Sequence, residues 1–370
     1  DINGDGYDDF IISAHKHTSD TGRAYVVFGS ETFSQNMTSA DLDGSAGFAL
    51  IGENTGDFFS YRKVGSAGDV NGDGLDDIIV GSRNHNLISD DEGQAYLIFG
   101  STSFASTINV GSLDGSDGYR FRDSDVGTNN FLGEITAGGG DINGDGYDDI
   151  LIYAANVNSN ADGAVYVVFG GNLAALDNET GSGGSAGDGI IEIDDLNGSF
   201  GTAILGPNAQ ADAVGYSDLA MGDFNGDGYD DILISSVNNN DSGANTGKAY
   251  LVYGKSTWSS TLALDNLEAN NEGFIITGSA GGERLGTAFS FADINADGFE
   301  DILVSSGEWT NSGAGEAHVI YGFDSTGAVN QVGTTGADTL TAQNIGDSII
   351  AGDGDDTLSN LHFSSTVMYG

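Results

Sequence analysis

One nine-residue acidic loop occurs five times in this chain of 370 residues. The copies begin at residues 1, 69, 141, 223 and 293, and we call each copy a cage. Every cage has Asp at positions 1, 5 and 9, Asn at position 3 and Gly at position 6. Ca²⁺ takes six to eight hard oxygen ligands, and this spacing supplies them from side chains and from the backbone carbonyl of position 7. Glycine at position 6 permits the positive φ of a loop that folds around an ion.

The predicted calcium ligands occupy positions 1, 3, 5, 7 and 9, and position 7 acts through its carbonyl oxygen. They predict about five ions, one in each cage. In chain order they are Asp1, Asn3, Asp5, Tyr7, Asp9, Asp69, Asn71, Asp73, Leu75, Asp77, Asp141, Asn143, Asp145, Tyr147, Asp149, Asp223, Asn225, Asp227, Tyr229, Asp231, Asp293, Asn295, Asp297, Phe299 and Asp301.

The residues that follow each cage argue against an EF-hand. An EF-hand loop needs Glu at position 12 and flanking helices, whereas position 12 is always Ile or Val: Ile12, Val80, Ile152, Ile234 and Val304. Each cage instead runs into a short apolar segment, such as Ile78 to Val80. Short apolar runs bounded by turn residues are typical of strands buried on both faces. We therefore predict that each cage joins two strands of a hairpin.

The composition restricts the class of protein. There are 10 Lys+Arg against 56 Asp+Glu, which gives a net charge of −46, together with 60 Gly, one Pro and no Cys. Abundant glycine among short apolar runs favours an all-β fold. The missing cysteines exclude a disulfide framework and a cysteine nucleophile. The acidity argues against nucleic acid as a partner. The chain has no run of 18 apolar residues, so no segment is predicted to insert into a membrane.

The cages recur at intervals of 68, 72, 82 and 70 residues, a period that holds about four strands. After the strand that leaves each cage, a second strand ends in an aromatic–Gly pair, as in Ala24 to Gly29. A third begins at a glycine, as in Gly47 to Ile51 or Gly189 to Ile193, and a fourth enters the next cage, as in Phe131 to Gly139 or Leu285 to Ala292. Four antiparallel strands in a repeated unit predict a β-propeller blade.

Residues 1 to about 323 resemble the FG-GAP repeats of the integrin α-subunit propeller and its bacterial relatives. The DxNxDGxxD cage, the small residues before it and the period carry this resemblance, and Ala296 and an insertion around Gly181 to Gly187 depart from it. The resemblance implies calcium on the loops and seven blades, of which about five are represented here. We expect about two blades and a first strand upstream of residue 1. A five-blade ring and strand exchange between molecules are the alternatives.

A second calcium motif is predicted near the end of the chain. Asp338, Asp347 and Asp356 are nine residues apart, and Gly352 to Leu358 reads GDGDDTL, which fits the GxGxDxU repeat of parallel β-rolls. This segment resembles RTX (haemolysin-type) repeats, which implies one or two further ions and type I secretion from a bacterium; a Gly/Asp-rich linker is the alternative. The predicted organisation is a propeller at 1–325, a linker at 326–332, RTX-like repeats at 333–360 and a tail at 361–370.

Other candidate sites are weaker. His15 and His17 share a face of an extended segment and suggest a metal pair, with a solvated loop as the alternative. Trp258 and Trp309 suggest a sugar or protein contact, with packing as the alternative. The polar loops Asn156 to Asp162 and Asn238 to Thr246 lie where a rigid scaffold places binding residues.

We expect a calcium-binding, non-catalytic protein, secreted or at the cell surface, that serves adhesion or extracellular assembly. Open cages of this kind bind calcium at about 10⁻⁴ to 10⁻³ M, the range outside cells. The expected partner is a protein or glycan bound at loops of the propeller face. The alternatives are the scaffold of an extracellular enzyme acting on polysaccharide or phospholipid, and a structural subunit of a homo-oligomer, filament or layer. The sequence contains no nucleophile elbow, HExxH or P-loop.

Overall fold

The computed structural model describes side chains and backbone for residues 1–32, 36–86, 92–123, 130–155, 157, 163–179, 185–207, 214–240, 245–307 and 315–323. It describes backbone strands alone in 329–332, 339–342, 348–350, 357–360 and 367–369. These residues are almost entirely β-structure. In the described part of the chain, no helix has the length and hydropathy needed to cross a membrane.

Five largely antiparallel sheets follow one another along the chain, one for each cage. The first sheet contains β1 (Phe10–Ser13), β2 (Arg23–Val27) and β3 (Gly47–Ile51). The second contains β4 (Phe59–Gly68), β5 (Asp77–Ser82), β6 (Gln94–Ile98) and β8 (Gly118–Arg122). The third contains β9 (Thr136–Gly140), β10 (Asp149–Ala154), β11 (Ala164–Val168) and β13 (Gly201–Leu205).

The fourth sheet contains β14 (Leu219–Gly222), β15 (Asp231–Ser236), β16 (Lys248–Val252) and β18 (Gly273–Thr277). The fifth contains β19 (Leu285–Ala292), β20 (Asp301–Ser306) and β21 (Glu316–Ile320). The helical segments are short: α1 (His17–Asp20), α2 (Leu173–Leu176) and the 3₁₀ turns Val110–Ser112, Ile193–Asp195 and Leu264–Asn266.

Each of the first three sheets is joined to the unit that follows it by one short strand. β7 (Thr107–Asn109), β12 (Ile190–Glu192) and β17 (Thr261–Ala263) pair in parallel with β3, β8 and β13, respectively. The sequence pattern did not predict β7 and β17, because three residues are too few to show a period, whereas β12 lies within the predicted strand Gly189 to Ile193. Consecutive sheets are therefore linked through backbone hydrogen bonds as well as through packing.

The predicted pairing of one strand in the third unit is wrong. The segment Gly189 to Ile193 was expected to complete its own antiparallel sheet, but β12 within it pairs with β8 of the preceding sheet. The outer strand of the third sheet is instead β13, which pairs with β11. The two segments look alike because each follows a Gly-rich turn and carries a few apolar residues.

The continuous apolar runs contribute side chains to two hydrophobic cores, one on each face of the sheet. On β5, Ile78 and Val80 pack towards the first sheet, whereas Ile79 packs towards the third. Four such clusters join the five sheets in sequence. The prediction of burial on both faces therefore holds for β5, β10 and β15, whose residues are all buried.

The prediction of burial on both faces is wrong for β1 and only partly correct for β20. Phe10 and Ile12 of β1 are 46% and 49% exposed, and Leu303 of β20 is 38% exposed. No neighbouring sheet within the described residues covers these outer faces of the first and fifth sheets. The five sheets are thus arranged side by side like propeller blades, with two apolar faces at the ends of the series.

The C-terminal backbone forms two parallel sheets. β22 (Val329–Val332), β24 (Ser348–Ile350) and β26 (Val367–Tyr369) make one, and β23 (Thr339–Ala342) and β25 (Thr357–Asn360) make the other. Successive strands along the chain alternate between the two sheets. The predicted ligands Asp338, Asp347 and Asp356 lie outside the described residues.

Candidate metal centres

Inside each cage the loop folds around the side chain of position 1. In the first cage, Asp1 Oδ1 accepts bonds from the backbone N–H of Gly4 and Asp5 at 2.8 and 3.1 Å, and Asp1 Oδ2 accepts from Gly6 at 2.8 Å. Asn3 Oδ1 accepts from Asp5, and Asp5 Oδ1 accepts from Tyr7. Closely similar bonds recur in the other four cages. The oxygens of positions 1, 3 and 5 therefore converge in every copy.

The carboxylate of position 9 fastens each cage to the end of the second strand after it. Asp77 Oδ2 accepts from Val70 N–H at 3.1 Å, and its Oδ1 accepts from Gly100 N–H at 2.8 Å. The glycine of the aromatic–Gly pair donates in all five units. A Cβ at Gly100 would lie 2.7 Å from the carbonyl oxygen of Asp76, so only glycine fits there.

Position 8 has a role that the sequence motif did not reveal. Asp148 Oδ2 accepts from the backbone N–H of Asp69 at 2.7 Å, and Asp148 N–H donates to Asp69 O at 3.3 Å. This reciprocal pair, which we call the position-8 clamp, ties position 1 of one cage to the next cage. Asp76 and Asp230 make the same clamp, and Glu300 accepts from Asp223 N–H.

Position 8 is acidic in all five copies, and this regularity was the feature of the sequence that could have indicated its role. A side chain that merely filled a solvated loop would not need a carboxylate at this place in every unit. The clamp explains the requirement, because an ionised carboxylate is a stronger acceptor for a backbone N–H than a neutral group.

Adjacent cages also interlock through positions 4 and 7. A Cβ at Gly72 would lie 2.4 Å from Cε1 of Tyr147, and a Cβ at Gly144 would meet Tyr229 at the same distance. Glycine is thus required where the next cage lays its side chain across position 4. Ala296 of the fifth cage, the departure noted in the sequence, is exposed, and no later cage covers it within the described chain.

The carboxylates of the cages have no basic side chains to balance them. Among the described residues, no Lys, Arg or His side chain forms an ion pair with a carboxylate of any cage. Burial raises the pKa of Asp77 to about 7 and of Asp231 to about 8, and raises that of Asp149 well above its ordinary value. Burial also raises the pKa of the position-8 residue Asp230 to about 6.

The donor set fits a hard divalent cation. As placed, no three His, Cys, Asp or Glu side chains among the described residues can hold an ion by themselves. The predicted set adds the Asn oxygen and the position-7 carbonyl, and a carboxylate oxygen that accepts one hydrogen bond keeps a second lone pair. In the fourth cage, Asp231 Oδ2 is buried without any hydrogen-bond partner. An orphaned buried carboxylate oxygen is the atom that a cation would stabilise.

The other candidate residues have structural contacts. His15 packs edge-on against Tyr61 with ring centroids 5.2 Å apart, whereas His17 Nδ1 lies beside the hydroxyl of Thr18, so the two rings do not share a site. Trp258 is 6% exposed and packs against Phe169, which confirms the packing interpretation. Trp309 lies outside the described residues.

Two loop regions were also predicted to carry binding residues. In the loop Asn156 to Asp162, Val157 is the only described residue, and in Asn238 to Thr246 the described residues include Asn239 and Thr246, both buried. The Thr246 hydroxyl donates to the carbonyl oxygen of Asn239 at 3.2 Å. This bond joins two residues near the ends of the second loop, and the prediction of binding residues in both loops stays a prediction.

Comparison with known proteins agrees with this repeat. The FG-GAP repeat matches residues 64–98, 132–168, 215–252 and 285–321, each of which spans a cage and the strands around it. The first cage lies outside the matched segments. The chain therefore contains four FG-GAP repeats.

The chain is also similar to integrin alpha proteins. It is 31% identical to integrin alpha-4 of Xenopus laevis over 165 residues, which are 45% of this chain and 14% of that protein. It is 29% identical to integrin alpha-8 of Homo sapiens over 233 residues, 60% of this chain and 20% of that protein, and 30% identical to integrin alpha-PS5 of Drosophila melanogaster over 177 residues, 46% and 15% respectively. The matched region spans a fifth or less of the length of these relatives.

We predict that Asp148→Ala weakens the joint between the second and third cages. The substitution leaves the N–H of Asp69 without its acceptor, which costs about 1.5–3 kcal/mol of unfolding free energy for a bond to a charged group. Asp148→Asn keeps an acceptor oxygen and should cost less. Urea unfolding with saturating calcium measures both.

Asp8→Ala is the matched control, because Asp8 occupies the same position of the first cage but is exposed and has no partner within the described residues. Its unfolding free energy should stay within about 0.5 kcal/mol of the parent value. Equal losses for Asp148→Ala and Asp8→Ala would show that the clamp contributes nothing.

The metal-free protein should become more stable as the pH falls from about 8.5 to 5.5. The folded-state pKa values of Asp77 and Asp231 lie above the unfolded value, so their contribution to stability is complete below the unfolded pKa and is lost as the pH rises through about 7 and 8. Calcium should reverse this slope, because it binds the ionised carboxylates. Thermal melting at several pH values, with and without calcium, measures both slopes, and a metal-free protein that is most stable at pH 8.5 would contradict the prediction.

Proposed function

We propose that the five cages bind Ca²⁺ and that calcium holds the sheets together as the blades of a propeller. The observation that carries this proposal is the accumulation of unbalanced carboxylates at the joints between sheets. In the third cage and its clamp, Asp141, Asp145, Asp149 and Asp230 lie within one hydrogen-bonded set without a basic partner. A divalent cation offsets this repulsion, and its binding free energy adds to the free energy of folding.

Each position of a cage has a separate role in this proposal. Positions 1, 3 and 5 supply converging side-chain oxygens, and position 7 supplies its carbonyl while its side chain covers the preceding cage. Position 9 connects the ion to the strand that ends in glycine, and position 8 connects it to the neighbouring cage. Calcium bound at one cage is therefore expected to stabilise the contact between two sheets and not one hairpin alone.

The protein-binding role rests on the similarity to integrin alpha proteins. We propose an adhesion-type propeller that acts at the cell surface or after secretion and binds a protein ligand on the side of the sheets away from the cages. A rigid ring with loops of variable length is suited to such recognition. The exposed apolar faces of the first and fifth sheets support the presence of further blades, seven in the complete ring, that cover them.

The C-terminal segment is proposed as a short RTX-like calcium roll. Its parallel strands alternate between two sheets, and β23 pairs with β25 at an offset of 18 residues, Thr339 with Thr357, which is the spacing of two nonapeptide turns. Asp338, Asp347 and Asp356 would provide its ligands. Export by type I secretion and a bacterial source are proposals that depend on this motif alone.

Removal of calcium should lower the melting temperature sharply. A chain of this length that binds about five ions, each at about 100 times its dissociation constant, gains about 2.7 kcal/mol per ion by mass action. Differential scanning calorimetry before and after chelation, followed by isothermal titration with calcium, measures the loss and the stoichiometry. Magnesium, which prefers fewer protein ligands, should restore less stability than calcium.

The adhesive role is tested with the same calcium-loaded and metal-free protein. Beads coated with the loaded protein should adhere to untreated cell surfaces and lose this adhesion after chelation or after protease treatment of the cells. An unchanged melting temperature without calcium would contradict the structural role of the ion. Adhesion that survives protease treatment would contradict a protein ligand.

A further inference from the structure

A cleft of about 660 Å³ opens at the centre of the five sheets, at the end away from the cages. Its walls come from every sheet: His15 and Lys16 after β1, Tyr61 to Lys63 on β4, Ile135 before β9, Ser217 and Asp218 before β14, and Thr287 and Ala288 on β19. We call it the central cleft. Its volume is in the range of ordinary ligand pockets.

Positive charge is concentrated around this cleft. The whole chain has 10 Lys+Arg, and Lys16, Arg62 and Lys63 line the central cleft while Arg83 stands behind Tyr61. The carboxylates that pair with them are Glu134 and Asp218. Four cations against two carboxylates leave a local excess of positive charge in a molecule whose net charge is −46.

The arginines are held in fixed orientations. Both Arg62 and Arg83 pair with the buried carboxylate of Glu134, at 2.9 and 3.0 Å. The Arg62 guanidinium also lies 4.2 Å from the ring centroid of Tyr216 and donates to its hydroxyl at 2.6 Å. Arg83 Cζ lies 5.1 Å from the ring centroid of Tyr61 and 4.6 Å from that of Phe131. Such stacking pre-organises a guanidinium for a planar anion such as a carboxylate.

Donor groups remain available at the cleft. Arg62 uses three of its five N–H groups, on Glu134 and Tyr216. Lys63 Nζ contacts Asp218 and the carbonyl of Leu219, both at 2.7 Å. Lys16 is exposed and has neither an ion pair nor a hydrogen bond within the described chain. Lys16 and Arg62 both line the central cleft, and together they offer donors to one negative group.

The surrounding charge selects the kind of anion. A long polyanion would have to extend across a strongly acidic protein and would be repelled along its length. A single carboxylate that projects into the central cleft meets the local positive charge without that cost. A loop from another protein that carries one such carboxylate therefore suits the charge of the cleft better than a charged polymer chain.

We propose that the central cleft binds the carboxylate of an Asp or Glu side chain presented by an exposed loop of a protein partner. Arg62 and Lys16 receive the carboxylate, and Tyr61 and His15 contact the aliphatic part of that side chain. This inference rests on the proposed protein-binding function and adds the chemistry that the ligand must carry at this site. It predicts a salt-dependent interaction, since exposed charges are screened.

The probe is a cyclic hexapeptide of glycine and serine with one Asp, compared with the same peptide carrying Asn. NMR titration of the isotope-labelled, calcium-loaded protein should shift the amide signals of Tyr61, Lys63 and Ser217 with the Asp peptide. The Asn peptide should bind about tenfold more weakly, because charge-assisted bonds are about twice as strong as neutral ones. A glucuronate hexasaccharide forms the third arm and should bind more weakly than the Asp peptide.

Lys16→Gln should weaken the binding of the Asp peptide about fivefold, as expected for the loss of one partly exposed charge. Lys255→Gln is the matched control: it removes the same charge at a lysine that pairs with Glu272 away from the cleft, and it should leave the affinity unchanged. Equal binding of Asp and Asn peptides, no binding of the Asp peptide, shifts outside the cleft, or tighter binding of the saccharide would each overturn the inference. If calcium still stabilises the protein and supports adhesion in that case, the proposed function stands and the central cleft is not its ligand site.

Discussion

Carboxylates meet at the joints between successive sheets, and the fold depends on how their charge is balanced there. The backbone stays together at these joints through the position-8 clamp and the position-9 bonds, which use carboxylate oxygens as acceptors for buried N–H groups. The same bonds bring several negative charges close together at low dielectric. The proposed calcium ions would offset this charge, and the chain provides no basic side chain for that purpose in its described part.

Charge is divided between the two ends of the sheets. The cages gather acid at one end, whereas four of the few basic residues gather at the other, around the central cleft. β4 connects these ends, since Arg62 and Lys63 lie in its first half and its last residue is followed directly by the second cage. The proposed binding site at the central cleft and the proposed calcium site of the second cage therefore lie at opposite ends of β4.

The repeat made much of the fold accessible from sequence, because five copies of a cage and of an aromatic–Gly pair mark the same places in each unit. The predicted strand Leu285 to Ala292 agrees with β19. The strands β7 and β17 and the pairing of β12 with β8 could not be predicted, because they depend on a neighbouring sheet and three residues carry no period. The exposure of Phe10 likewise depends on what covers β1 and not on the local sequence. The role of position 8 could not be predicted because it depends on the distance to the preceding cage. The central cleft could not be predicted because side chains from five separate units form it.

The most direct test is a crystal structure of the calcium-loaded protein with anomalous diffraction recorded at a long wavelength. The account predicts an anomalous peak in each of the five cages, about 2.3–2.6 Å from the side-chain oxygens of positions 1, 3, 5 and 9 and from the carbonyl of position 7. Cages that lack such peaks in saturating calcium, with their carboxylates bonded to the backbone alone, would contradict it.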